Sequence, residues 1–219
     1  MGQPSLGFNS RLRESMLRFL QPVHEELRRR KLALLFQVAG EYLRGRLLDV
    51  GGGRGIVGEF APLYSRFAEV VIVNLEPVSL PAAFHAKVQT IVADGCALPF
   101  RNASFDWVFS NAVIEHVGGG TRQSLFAQEI RRVATRGYFV ATPDLYFPID
   151  PHTYLPFYQF LPEALQRRVI PFCPGFLQRH EEIHMLSARS LRSLFPDARV
   201  ERTGFRLWPN SLVACHMAD

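Results

Sequence analysis

The 219-residue chain is 47% hydrophobic and 21% charged, the balance of a globular protein and not of a disordered one, and it is long enough for one domain with a substantial core. It has no run of about 18 apolar residues, and residues 1–10 lack both the order of a signal peptide and a myristoylation signal, Leu6 standing where Ser or Thr is required. These features predict no membrane span and a cytoplasmic location. The net charge of +5 comes almost wholly from arginine, Lys31 and Lys87 being the only lysines, while Cys96, Cys173 and Cys215 are too scattered for a disulfide framework or a clustered thiolate metal site.

Ahead of the core, Met16, Phe19, Leu20, Val23, Leu27, Leu32, Leu34, Leu35 and Val38 recur at three- and four-residue steps, interrupted at Pro22. The pattern predicts two helices within residues 11–43. The cluster Arg28-Arg29-Arg30-Lys31 falls on this helical pattern and reads as a solvated face. Apolar runs at 46–50, 70–75, 88–92, 107–110 and 138–142 predict five strands, with a helix at 126–133 between the last two. From Pro143 the chain turns rich in proline and aromatics, which predicts an insertion over 143–186 with one short helix at 162–169. A helix at 188–194 and strands at 198–203 and 211–216 close the chain. The alternation predicts an α/β fold of the Rossmann-like, doubly wound, mostly parallel type, in which ligands sit beyond the carboxyl ends of the strands. As one domain it divides into an N-terminal helical lid (1–44), a cofactor-binding core (45–142), the acceptor-side insertion and the closing elements (187–219).

The stretch "LLDVGGGRGIVG" directly follows the first strand. From Gly53 it contains a G-x-G-x-x-G nicotinamide fingerprint; from Asp49 it is D-x-G-x-G-x-G. The fingerprint needs its first glycine at the strand end, and counted from Gly51 the third would fall on Ile56. No Tyr-x-x-x-Lys pair exists either, because Leu27 and Ala83 precede the two lysines by four. The other register suits a cofactor without phosphate. Gly51, Gly52, Gly53 and Gly55 let the backbone approach it, and Asp49 can accept from an ammonium group. Glu76, at the end of the second strand, can take ribose hydroxyls, and Asp94, after the third, can accept from an adenine amino group. Such a cofactor is S-adenosylmethionine.

"LLDVGGGRG", "VADGCALPFRNASFDWVFSNAVIEHV" and "IRRVATRGYFVATP" resemble the glycine loop, the adenine-side loop and the fifth strand of class I S-adenosylmethionine-dependent methyltransferases, of the group that includes the quinone-biosynthesis enzymes. The resemblance covers about residues 45–145, and more loosely "MLSARSLRSLFPDA" and "SLVACHMAD". It implies a seven-stranded sheet and adds Asn74, Leu75, Gly95, Cys96 and Asn111 to the cofactor contacts. The family's second-strand acid is usually followed by a small residue and proline; "NLEP" offers Asn74 or Glu76, of which a carboxylate grips a diol better. Phe105 and Trp107 read as core, and Asp106 as a turn residue.

"HEEIH" at residues 180–184 is a literal H-E-x-x-H, a zinc-protease pattern that requires a helix. Pro174 and Gly175 upstream and the next helix entry downstream leave little room for one, and no third ligand follows, so His180 and His184 are expected not to hold zinc and no bound metal is required. Nucleic-acid methylation is a rival reading given the basic balance, but the chain has no Pro-Cys pair, no N-P-P-Y-like loop where "SNAVIEH" stands and no appended RNA-binding module. A non-catalytic S-adenosylmethionine-binding protein is the remaining alternative. The favoured expectation is methyl transfer, by O-methylation in biosynthesis, to a small-molecule acceptor, with a homodimer left open. The aromatic insertion would wall the acceptor pocket with Tyr146, Tyr154 and Tyr158. General-base candidates are His152, then His116 and His184.

Overall fold

A computed structural model describes residues 10–53, 59–84, 86–175, 177 and 180–218. Seven strands form one sheet in the order β3-β2-β1-β4-β5-β7-β6: β1 Arg46–Val50, β2 Glu69–Asn74, β3 Val88–Val92, β4 Phe105–Asn111, β5 Ala134–Pro143, β6 Arg199–Gly204 and β7 Pro209–Met217. The first five are parallel, and β7 runs antiparallel to both β5 and β6. The helices are α1 Ser10–Ala39, α2 Ala61–Tyr64, α3 Gly120–Val133, α4 Glu163–Val169 and α5 Ala188–Leu194.

Apart from the edge strand β3, of which only Val88 is buried, the apolar runs become buried parallel strands because both faces of the sheet are covered, and the two-residue period sends successive side chains to opposite layers. In β1, Leu47 joins the core shared with α1 and α2 through Leu32, Leu35, Ala39 and Leu63. Leu48 and Val50 join the opposite core with Phe126 and Ile130 of α3 and Leu191 of α5. Asp49 therefore faces the α1–α2 layer. The same alternation puts Trp107 and Phe109 of β4 on that side and Val108 on the other. Phe105 and Trp107 are core residues, as expected. Asp106 ties the sheet's lower edge, accepting from the Arg46 amide at 2.8 Å and pairing with Arg136 at 2.9 Å.

Several boundaries differ from the sequence expectation, β5 starting four residues early at Ala134 and β4, β6, β7 and α4 shifting by one or two residues, and three of the differences bear on the site or its cover. The N-terminal segment is one 30-residue helix and not two, with Pro22 inside it. Proline removes one helical hydrogen bond, but Pro22 is exposed, pairs such as Gln21–Glu25 and Glu26–Arg30 brace the surface around it, and Leu32, Leu35 and Ala39 anchor the carboxyl-terminal half in the core. Strand β2 stops at Asn74, so Glu76 lies two residues beyond its end. Helix α3 begins at Gly120, six residues earlier than the apolar pattern indicates, because its first turn is polar.

Within the insertion, Tyr158, Ile170 and Cys173 form a small separate core. All three cysteines are free and buried. Among the described residues no helix is long and apolar enough to cross a membrane.

Candidate active site

A cleft of about 250 Å³ opens beyond the carboxyl ends of β1 to β4, lined by Val50, Gly51, Val73, Asn74, Leu75, Ala93, Asp94, Gly95, Ala112, Val113, His116, Val117, Arg122 and Phe126. Backbone shape makes the cleft. Gly51 sits at φ +89°, where a Cβ would fall 2.2 Å from Val113, and a Cβ on Gly95 would fall 2.8 Å from the Phe126 ring. Both positions keep the wall thin where a ligand must approach. Gly53 differs, since a Cβ there would make only ordinary contact with Asn74 at 3.6 Å. Gly55 lies outside the described residues.

The acids at the strand ends take unequal positions. Asp94 lines the cleft, accepts from the Cys96 amide at 2.9 Å and pairs with Arg122 of α3 at 2.7 Å. Its carboxyl is held below the usual range, chiefly by Arg122 and then by the Cys96 amide. Asn74 lines the cleft and donates to the Gly52 carbonyl at 3.0 Å, bracing the glycine loop. Glu76 is exposed and outside the lining, so the structure places Asn74, not Glu76, at the cleft. Leu75 stands at the rim, 70% exposed.

Asp49 does not line the cleft either. It is 1% exposed beneath the loop, where the Tyr64 hydroxyl of α2 donates to its Oδ2, and a Cβ on Gly52 would fall 2.7 Å from that oxygen. Burial pushes its pKa up to about 7, the Tyr64 hydrogen bond opposing. Cys96 turns its thiol away to the Arg122 carbonyl at 3.3 Å, and burial raises it to about 11, so it is a neutral packing group and not a cleft contact. Asn111 ends β4 on the α1 side and accepts from Lys31 Nζ at 3.0 Å, again outside the cleft. In each case the strand alternation decides: Asp49 and Asn111 fall on the face opposite Val50, Val73 and Phe126.

Ala112, at φ +57°, turns the chain out of β4; a non-glycine residue in the left-handed region stores roughly 1–3 kcal/mol, and such strain is often found at functional sites. Beyond it, Glu115, His116 and His152 gather with one ligating atom each, all within 4.8 Å of one another. Glu115 is fully buried; its Oε2 accepts from Thr142 at 3.0 Å and, among the described residues, its Oε1 has no hydrogen-bond partner. Burial raises its pKa. His116 also lines the cofactor-side cleft. Partial withdrawal of its ring from water, then the neighbouring His152, keep it below the usual imidazole value. The two imidazole rings meet edge-to-face at 5.0 Å.

His152 is held by a tight turn of the insertion. Asp150 accepts from the amides of His152 and Thr153 at 3.0 and 2.7 Å, and its Oδ2 lies 3.5 Å from His152 Nδ1. Burial alone would raise the Asp150 pKa, but these bonds together bring it below its ordinary value. Gly175 packs so closely beneath that a Cβ would meet the His152 carbonyl oxygen. Lys31 is buried beside the cluster, and burial brings its pKa down to about 8, Glu115 raising and Arg28 lowering it further.

The cluster thus unites two of the three histidine candidates. The third, His184, lies in a separate surface depression with Gly120, Gln123 and Ser190, its Nε2 3.3 Å from Glu182. His180 meets Gln166 at 3.2 Å, and residues 180–184 are not helical, so "HEEIH" lacks the geometry its pattern requires. Of the tyrosines, Tyr154 meets His24 of α1 at 2.9 Å. Tyr158 packs in the insertion's own core, and Tyr146 is 61% exposed and stacks on Phe160. None of the three lines the cleft. Glu115, Asp150 and Arg122 were missed in the sequence, and Lys31, read there as part of a solvated face, is buried. Only Glu115 had a signal there, in "IEH".

Residues 48–141 match the family model described as a methyltransferase domain. No curated protein matches the sequence. Among solved structures, the magnesium protoporphyrin IX methyltransferase of Synechocystis, with bound SAH, is 15% identical over 99% of this chain and 90% of its own, with a TM-score of 0.58. The PH0226 protein of Pyrococcus horikoshii is 19% identical over 96% and 93%, TM-score 0.60. The 1,6-didemethyltoxoflavin-N1-methyltransferase of Burkholderia thailandensis, with its substrate and S-adenosylhomocysteine, is 17% identical over 95% and 88%, TM-score 0.58. Likeness at these identities establishes the shared seven-stranded class I fold. The match over residues 48–141 adds that this stretch, somewhat under half of the chain, is similar to a methyltransferase domain.

Proposed function

We propose that this enzyme methylates an oxygen of a small-molecule acceptor in a biosynthetic reaction, as in the group that includes the quinone-biosynthesis methyltransferases. The observation that carries the reading is the position of His116, which belongs at once to the cleft beyond β1 to β4 and to the polar cluster with Glu115 and His152. Small-molecule methyltransferases of magnesium protoporphyrin and toxoflavin chemistry share the fold, which favours that acceptor class over nucleic acid.

The cleft fits the cofactor on its own features. Gly51 and Gly95 let the Val113 and Phe126 side chains pack directly against the backbone of the cleft wall, where a Cβ would collide with them, Val50, Val73, Val113 and Phe126 offer apolar surface for a nucleobase, and Asp94 and Asn74 offer acceptors for amino and hydroxyl hydrogens. S-adenosylmethionine supplies an electrophilic methyl group. This chain's residues do the remainder: they bind both reactants, hold them in line and exclude water, an effect worth roughly 7–11 kcal/mol. The Ala112–His116 turn separates cofactor from acceptor, and the cluster beyond it receives the acceptor hydroxyl and eases loss of its proton. Helix α1 joins the two sides as a lid, through Lys31 to Asn111 and His24 to Tyr154.

Calorimetry with S-adenosylhomocysteine, followed by turnover with a radiolabelled methyl donor and a panel of phenolic, carboxylic and amine acceptors, tests the reading. Tight binding with transfer to oxygen acceptors is expected. Binding of NAD without S-adenosylhomocysteine, or transfer only to RNA, would overturn it.

A further inference from the structure

We propose that Glu115, His116 and His152 form a binding site for one divalent transition-metal ion, open on the side where the acceptor enters. Two imidazoles and one carboxylate are a donor set that first-row divalent ions favour, and three protein ligands leave positions for water or substrate. The three ligand atoms already lie within 4.8 Å of one another. Two ligands each about 2.1 Å from one ion stand at most about 4.2 Å apart, so a small side-chain rotation closes the set.

Independent features point to a ligand here. Glu115 is fully buried, yet among the described residues its Oε1 has no hydrogen-bond partner while Oε2 is taken by Thr142. A buried carboxylate oxygen without a donor is costly unless something positive meets it. Lys31, the nearby cation, donates to Asn111 instead. Asp150 stands 3.5 Å from His152 Nδ1, the carboxylate–histidine arrangement that directs the other ring nitrogen toward a metal. The Asp150 turn and the close packing of Gly175 hold this histidine in place. The donors come from two separate segments: Glu115 and His116 follow β4, and His152 comes from the insertion.

The role of the ion rests on the methyl-transfer reading; its binding does not. An acceptor oxygen that completes the coordination loses its proton to solvent more readily, as metal-bound water does. The favoured acceptors would be those that chelate through two adjacent oxygens.

The test is titration of chelator-treated full-length protein with Co²⁺, read by visible absorption, and with Zn²⁺ and Mn²⁺ by calorimetry, alongside S-adenosylhomocysteine binding. One equivalent of Co²⁺ with d–d bands is expected, at least tenfold weaker in His116→Ala, His152→Ala and Glu115→Gln, unchanged in His184→Ala, and with S-adenosylhomocysteine affinity intact throughout. Because His116 sits at the surface, its variant tests the site even should a buried one fail to fold. The absence of a stoichiometric ion, or an ion that His184→Ala removes and His116→Ala does not, would overturn the proposal. Loss of S-adenosylhomocysteine binding in wild-type protein would instead sink the methyl-transfer reading and leave the metal result standing.

Discussion

The cleft proposed for the cofactor and the cluster proposed for the acceptor meet at the Ala112–His116 turn but are constructed in opposite ways. The cleft is a backbone structure: glycines at close approaches and apolar residues from consecutive strands and α3. The cluster is a side-chain structure in which residues 115, 116 and 152 meet only because the insertion folds back over the end of β4. One region tolerates many side chains so long as nothing fills the space. The other depends on a few groups and their protonation. Damage to the first should appear in cofactor affinity, and damage to the second in turnover.

The largest expected separation is at His152. His152→Ala should lower turnover about 10²-fold or more with S-adenosylhomocysteine affinity unchanged; equal losses in both would erase the division between the regions.

Asp49 gives a second break, in stability. Its folded pKa is raised from 3.8 to about 7, so between those values the folded protein keeps a proton that the unfolded chain releases. Stability therefore falls as pH rises through that window and stays lower above it. Asp49→Asn keeps an acceptor for Tyr64 and removes the charge, so it should stabilise the ligand-free protein at pH 8 by a few kcal/mol and leave it nearly unchanged at pH 4. Thermal unfolding across pH decides this, and a flat difference would show that Asp49 is charged at no cost.

Gly95→Ala sharpens the contrast from the cleft side. Its new Cβ must displace the Phe126 ring, at a cost of roughly 1–3 kcal/mol, so S-adenosylhomocysteine affinity should drop about ten- to a hundredfold while metal binding at the cluster persists. Calorimetry with both ligands measures the split. The smallest effect belongs to neither region: Arg46→Ala removes a partly exposed pair with Glu69 and a hydrogen bond to the Ser104 carbonyl at the far end of the sheet and should change stability by about 1 kcal/mol with no kinetic consequence.

Much of the core could be read directly because its signals are local. The runs at 46–50 and 88–92 and the helix at 188–194 match the strands and helix residue for residue; β1, between β2 and β4, buries four of its five residues, whereas the edge strand β3 buries only Val88. Pro22 was misleading because a single proline is a local signal, whereas the packing of Leu32, Leu35 and Ala39 that anchors α1 is not. The tyrosines of the insertion were assigned to the acceptor by composition, yet Tyr158 is occupied with the insertion's own core.

By itself, the sequence determined the parallel α/β core, the glycine turn after β1 and the class of cofactor that turn admits, because each depends on residues within a few positions of one another. Tertiary structure decided which strand-end side chains face the cleft and which face α1, moving Asp49 and Asn111 out of it and Asn74 into it. It alone brought His152 to Glu115 and His116. The physical reason is that a two-residue period fixes the faces of a strand only once its register and ends are known, and that contacts between distant segments are set by how layers pack, which no local pattern encodes.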